Sequence, residues 1–246
     1  VKDDENLTNQ KFNPFQKRVK LGLKARDKAE RETGERKMYL PNITAPSCEE
    51  MIKRAKFIKS CGGEYAMIDI IPTGWTALQT LRERNEELRL VLHAHRCMHS
   101  AFTRNPKHGV SMLVIAKLTR LLGLDQLHIG TVIGKMHGKK EEVLTIRNSC
   151  LQKWHHLNQL FPVASGGLHP LMISQLWKIF GKEVILQFGG GIHAHPLGTR
   201  AGAMAARQAL QAVMSGISLE ESAKENKELF TAIKKWGKNE IKGKMS

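Results

Sequence analysis

The sequence predicts an α/β protein built on parallel strands, and three observations carry that expectation. Short apolar runs alternate with helical stretches of about ten to fifteen residues, the pattern of repeated strand–helix–strand units. The strand-like runs, such as Leu90-Val91-Leu92 and Val184-Ile185-Leu186, are continuously apolar, as strands covered on both faces require. Residues able to do chemistry, namely lysine, histidine, serine and paired glycines, stand directly after these runs. Sheets of parallel strands present their sites at those ends.

Local chemistry justifies each element in turn. Residues 13–33 are helix formers rich in Lys, Arg and Glu, closed by Gly34, and make a helix with a broad wet face. Residues 37–44 read as a short strand whose Pro41 restricts its pairing. Ser47 caps a helix over 48–59, Glu50 completes a capping box, and Gly62-Gly63 ends it. A strand over 64–71 follows, then a helix opened by Thr73 or Gly74 that runs to about Leu88, then a strand over 90–95. Helix returns over 111–122, with Val114, Leu118, Leu121 and Leu122 on one face. The remaining expectations are strands at 126–131, 161–164 and 184–188, and helices within 141–156, 170–179 and 201–213. The last of these helices is rich in alanine, suited to close packing on a sheet. Met112, Met172 and Met204 read as core residues on helices. Beyond Ser218 a Glu/Lys-rich helix and a basic tail lie outside the repeat.

With 246 residues, 41% of them hydrophobic, the chain has material for one large domain or two small ones. No apolar run approaches the roughly 20 residues that span a bilayer, and no charged-then-apolar leader opens the sequence, so the expectation is a soluble cytoplasmic protein with no membrane partner. Cys48, Cys61, Cys97 and Cys150 lie far apart without CxxC spacing, which argues for reduced structural thiols over a zinc knuckle. Net charge +16 would suit nucleic acid, yet the lysines are spread along helices and only 6% of residues are aromatic. Wet helix faces and attraction of a phosphorylated substrate explain the charge better than a nucleic-acid partner.

The chemistry centres on Gly130-Thr131-Val132-Ile133-Gly134-Lys135-Met136-His137-Gly138, a loop that carries one cation between glycines after the run Gln126-Leu127-His128-Ile129. By itself such a loop is also an ordinary surface turn. It stands with His93-Ala94-His95-Arg96-Cys97-Met98-His99 upstream, Ser165-Gly166-Gly167 and Gly189-Gly190-Gly191 downstream, and Lys2-Asp3-Asp4-Glu5-Asn6 at the start. The runs KDDEN, HAHRCMHSAFTRNPKHG, HIGTVIGKMHG, PVASGGLHP and LQFGGGIHAHP, in this order, resemble the large subunit of ribulose-1,5-bisphosphate carboxylase/oxygenase, archaeal form III or II/III type, in its C-terminal catalytic barrel portion.

The resemblance implies a (β/α)₈ TIM barrel that is incomplete in this chain, from the end of strand 2 through strand and helix 8, over residues 1–215, with a C-terminal helix and basic tail over 216–246. It implies that Lys2 forms a carbamate with activator CO₂ and, with Asp4 and Glu5, holds Mg²⁺. Arg96 and His128 would bind one phosphate of ribulose 1,5-bisphosphate. Gly167, Gly189 and Gly190, whose backbones a phosphate can approach closely, would bind the other, with Gly166 in the same loop. Ser165 would contact the sugar backbone. His95 would act as acid or base, His99 would support the site, and Lys135 would stabilise the carboxylate being formed. The implied reaction is enolisation, addition of CO₂ or O₂, hydration and cleavage to 3-phosphoglycerate, in archaeal nucleotide salvage. A homodimer or higher homo-oligomer with an active site shared between subunits follows, and the chain alone is expected to be an inactive fragment. A related enolase or isomerase acting on another phosphorylated sugar is the competing reading, and Lys2, Asp4, Glu5, His95, Arg96, His128, Lys135 and Ser165 all stand as the carboxylase pattern has them. His137, His155, His156, His169, His193 and His195 are expected at the surface or behind the site.

Overall fold

The computed structural model describes residues 1–133 and 140–242, with side chains of the last helix described through Gly237. The chain forms two compact units, one of Val1–His128 with Ile146–Pro162 and one of the described residues of Ile129–Thr145 and Val163–Ser246.

In the first unit, α1 (Phe15–Thr33) begins after Pro14, whose fixed φ suits a helix entry, and ends at Gly34 in the left-handed region. Helix α2 (Cys48–Ser60) is capped by Ser47, whose side chain accepts the Glu50 N–H at 3.3 Å. The capping box closes on that side only: the Glu50 carboxylate turns to Arg54, 3.1 Å away. Strand β1 (Tyr65–Asp69), helix α3 (Trp75–Leu88) and strand β2 (Val91–His95) follow as the alternation predicts. Tyr65 pairs with Val91 and Asp69 with His95 in a parallel register that brings the last residues of both strands side by side. Helix α4 (Met112–Leu121) leads to strand β3 (Gln126–His128), which pairs in parallel with β2. Ile43, Met51, Ile58, Met67, Ile68, Leu78 and Leu81 are wholly buried here, each removing about 1.5–3 kcal/mol of exposed apolar surface.

Helix α5 (Lys140–Leu151) precedes strand β4 (Phe161–Ser165). The second unit continues with α6 (Ile173–Phe180), entered through a 3₁₀ turn at Pro170–Met172, and strand β5 (Ile185–Gln187), parallel to β4 with Ser165 opposite Gln187. Helices α7 (Gly198–Met214) and α8 (Lys227–Lys242) complete it. Ala205 and Ala209 of α7 pack with Leu171, Ile173, Ala223, Leu229 and Ala232, so the alanines allow the close approach expected of them and the helix beyond Ser218 contributes to the core. Within the first unit the strand order is β1-β2-β3, and in the second β4 lies beside β5. Among the described residues no helix is long and apolar enough to cross a membrane.

Several local expectations are corrected. Residues 37–44 make isolated parallel bridges, Lys2 with Leu40 and Asn42 with Met67, where a strand was expected, since Pro41 has no N–H to continue a ladder. On α4 the face with Val114 and Leu121 is exposed, at 44% and 53%. The inward face is Met112, Ile115, Ala116, Thr119 and Arg120, because the Arg120 guanidinium is satisfied by the carbonyls of Ser149, Leu157 and Asn158 and can be buried. Met204 is exposed on the outer side of α7. His195 is buried, its Nε2 3.0 Å from the Glu228 carbonyl oxygen, and His169 stacks on Trp236 with ring centroids 5.1 Å apart. These two rings pin α8 to its own unit.

Candidate active site

Of the residues singled out from the sequence, Lys2, Asp4, Glu5, His95, Arg96, His99 and His128 belong to the first unit. What holds the Lys2–Glu5 segment is Asp3, to which the sequence reading gave no role. Its buried carboxylate accepts from Arg18 Nε at 2.8 Å, the Tyr39 hydroxyl at 2.9 Å and the Asn42 N–H at 3.0 Å. Its own N–H donates to the Leu40 carbonyl.

The Lys2 ammonium donates to the Asp3 carbonyl at 2.7 Å. Burial lowers its pKa, and the carboxylates of Glu5, Asp4, Asp69 and Asp3 oppose the shift; burial prevails. Asp4 accepts from both the backbone and side-chain N–H groups of Asn6 through Oδ1, and among the described residues its Oδ2 carries no hydrogen bond. Glu5 Oε2 faces His95 Nε2 at 3.8 Å. Two hard carboxylates beside an amine of lowered basicity fit Mg²⁺: the carboxylates supply the oxygens it prefers, and the amine, once carbamylated, would supply a third anionic oxygen.

His95 ends β2, and its Nδ1 lies 3.0 Å from Asp69 Oδ1. Asp69, at the end of β1, is itself fixed through Oδ2 by Asn42 Nδ2 and the Thr44 hydroxyl. A carboxylate on Nδ1 holds that nitrogen as the donor and leaves Nε2 as the nitrogen that can exchange a proton. Behind it, His93 Nδ1 meets the Gln126 side-chain oxygen at 2.7 Å and its Nε2 meets His128 Nε2 at 2.7 Å, and the His95 and His128 rings touch edge to face at 4.5 Å. Burial holds His93 at a pKa of about 4 and His128 well below the usual histidine range, so both rings are neutral near pH 7. His99 Nδ1 is 3.0 Å from the Thr103 hydroxyl, and its pKa is lowered to about 4 by burial, then by Arg96 and His95. A ring neutral near pH 7 suits the supporting place expected for it. Asp69, Asn42, Thr44 and His93 escaped the sequence reading; the one sequence signal for them was position, since Asp69 and His93 sit on adjacent strands.

In the second unit, Ser165 ends β4, and Gly166 and Gly167 follow with φ of 122° and 68°, a path that only glycine follows without strain. Gly189 and Gly190 follow β5, and a Cβ at either would meet nothing within 4 Å, which leaves their backbones open to approach. Gly191 is different in kind: a Cβ there would lie 2.1 Å from the Leu168 carbonyl oxygen, so this glycine serves packing. Lys135 and His137 lie outside the described residues.

Comparison with known proteins gives the family and the fold. Residues 1–236 match the family model for the ribulose bisphosphate carboxylase large chain, catalytic domain. A ribulose bisphosphate carboxylase of Methanosarcina acetivorans is 66% identical over 96% of this chain and 58% of its own length. That of Pyrococcus furiosus is 54% identical over 96% of the chain and 56% of its own length. Among solved structures, the octameric Rubisco of Pyrococcus horikoshii OT3 matches with TM-score 0.93 and 50% identity, covering 97% of this chain and 57% of that one. A dimeric archaeal Rubisco from Hyperthermus butylicus matches with TM-score 0.91 and 48% identity, over 96% of this chain and 58% of that one. The chain thus spans somewhat over half the length of the relatives it matches. By that match and by its fold, this chain belongs to the ribulose bisphosphate carboxylase large chain family, in whose catalytic domain it lies.

Proposed function

We propose that this chain is the catalytic portion of a ribulose 1,5-bisphosphate carboxylase/oxygenase, adding CO₂, or O₂ in its place, to the enediolate of ribulose 1,5-bisphosphate. The observation that carries the reading is Lys2, a lysine of lowered basicity held beside the carboxylates of Asp4 and Glu5. Its neutral amine attacks CO₂, a proton leaves, and a cation becomes an anionic oxygen ligand. Lys2 as carbamate, Asp4 and Glu5 would hold Mg²⁺, which when bound polarises the substrate carbonyl.

The chain's own groups do the rest. His95, oriented by Asp69, moves a proton at Nε2 near the substrate hydroxyls. Arg96 supplies charge and a planar fork to one phosphate, and the neutral His128 ring stands with it on that side of the substrate. Backbone N–H groups at Gly167, Gly189 and Gly190, with Gly166 shaping the loop, take the other phosphate, and Ser165 binds the sugar backbone. Lys135 neutralises charge on the new carboxylate. His99 keeps the β2 turn in place through Thr103. The octameric and dimeric states of the structural relatives support a homo-oligomer in which a neighbouring subunit completes the site. Cytoplasmic salvage of nucleotide-derived ribose is the setting we assign to it.

The test is fixation of labelled bicarbonate into acid-stable product, with ribulose 1,5-bisphosphate and Mg²⁺, by this chain alone and by the chain joined to the N-terminal part of the Methanosarcina acetivorans relative. Fixation by the joined form that is lost in Lys2→Ala supports the reading. Absence of fixation in both forms overturns it in favour of a related enolase or isomerase.

A further inference from the structure

We propose that Asp69, His95 and Cys97 form a second cation site in the first unit, which takes a borderline-soft divalent ion such as Zn²⁺ or Co²⁺ and withdraws His95 from its catalytic position while occupied. One ligand atom from each of the three lies within 4.8 Å of the other two. They converge because β1 and β2 pair in a register that sets Asp69 beside His95, and Cys97 follows two residues later in the turn.

The spacing is close to that of a tetrahedral ion. Ligand atoms about 2.0 Å (N, O) and 2.3 Å (S) from a zinc ion lie roughly 3.3–3.5 Å from one another. His95 Nδ1 and Asp69 Oδ1 already stand 3.0 Å apart, so the main movement left is a swing of the Cys97 thiol. A second observation marks Asp69 as a ligand in waiting: its other oxygen is held by Asn42 Nδ2 at 3.0 Å and the Thr44 hydroxyl at 3.1 Å, the kind of outer contact that aims a ligating carboxylate.

The donor set decides which ion. One nitrogen, one carboxylate oxygen and one sulfur suit zinc or cobalt and not Mg²⁺, which prefers oxygens throughout; Asp4 and Glu5, near the start of the sequence, supply that kind of ligand. Burial, then the negative charges of Asp69 and Glu5, hold the Cys97 thiol protonated in the absence of an ion. The same negative field attracts a dication. On binding, the thiol proton leaves to solvent, the imidazole proton moves from Nδ1 to Nε2, and the Asp69–His95 hydrogen bond gives way to two metal bonds. Three protein ligands leave a fourth position for water. The site itself stands without the carboxylase reading; only its inhibitory effect rests on that reading.

Cobalt binding tests it. Titration of the full chain with Co²⁺, in excess Mg²⁺, is expected to give a thiolate-to-cobalt charge-transfer band that saturates at one equivalent. The band disappears in Cys97→Ser, persists in Asp4→Asn, and zinc binds more than about 100-fold more weakly in Cys97→Ser and Asp69→Asn. X-ray absorption of the zinc-loaded native chain needs no variant and should show one sulfur with nitrogen and oxygen ligands. A band that survives Cys97→Ser, no band at stoichiometric cobalt, or a zinc shell without sulfur each overturns the proposal. Failure of the carboxylase reading would look different: an intact band in a chain that fixes no CO₂ in any form.

Discussion

Replacing Asp3 by alanine should cost this protein more stability than any other single change in its first five residues. The carboxylate is buried and accepts three hydrogen bonds, one of them from Arg18, whose side chain is only 9% exposed. Removing one partner of such a pair costs about 3–5 kcal/mol, chiefly because the other charge stays buried. Arg18 keeps the carbonyls of Leu7, Thr8 and Asn13 as acceptors, which places the expected loss at the lower end, about 3 kcal/mol. For a chain of this size that is a fall in Tm of roughly 6–12 °C by calorimetry. Asp3→Asn should lose less, because an amide oxygen still accepts from Tyr39 while its NH₂ opposes the donors Arg18 and Asn42. A fall of under about 2 °C in Asp3→Ala would refute the view that this residue anchors the segment carrying Lys2, Asp4 and Glu5.

Other consequences can be measured in the same way. His93 has a pKa of about 4 in the folded chain against 6.5 for a free histidine, so between those values the unfolded chain binds more protons and stability must fall as pH drops through that window. The His93 share is on the order of 3 kcal/mol, and urea midpoints at pH 7.5 and 5 should lie closer together in His93→Gln, the gap that remains coming from His99 and His128; equal acid sensitivity in both chains would sink the argument. Gly191→Ala places a Cβ 2.1 Å from the Leu168 carbonyl and should cost about 1–3 kcal/mol by thermal unfolding, whereas Gly190→Ala should unfold as the native chain does. If Gly190 lies against a phosphate, that same Gly190→Ala chain in joined form should show a raised KM for ribulose 1,5-bisphosphate, and an unchanged KM would remove it from the site. Leu229→Ala, at a wholly buried position, should destabilise by about 2–5 kcal/mol, and a negligible change would mean that α8 does not hold its unit together.

Much of the fold was legible because it is written in short-range chemistry. Ser47 caps its helix through its side-chain oxygen, Gly34 closes α1 in the left-handed region, and the continuous apolar runs became parallel strands. Period and propensity act over a few residues, and a few residues of sequence suffice to read them. The motifs likewise set Lys2, His95, His128, Ser165 and the glycine pairs at the ends of strand-like runs.

What the tertiary structure decided are matters of partnership across distance. Asp3 looked like one more acid in an acidic run until Tyr39 and Asn42, some 36 and 39 positions on, turned it inward. The apolar face of Val114 and Leu121 turns outward on α4 because three carbonyls from residues 149–158 satisfy Arg120 and let it be buried. His195 and His169 looked like loop histidines until α8 packed on them. By itself the sequence determined which elements form, their order and the residues at their ends. The three-dimensional structure alone decided which polar groups go inside, because a buried charge or ring nitrogen is tolerated only where the fold brings it a partner, and that partner lies far along the chain.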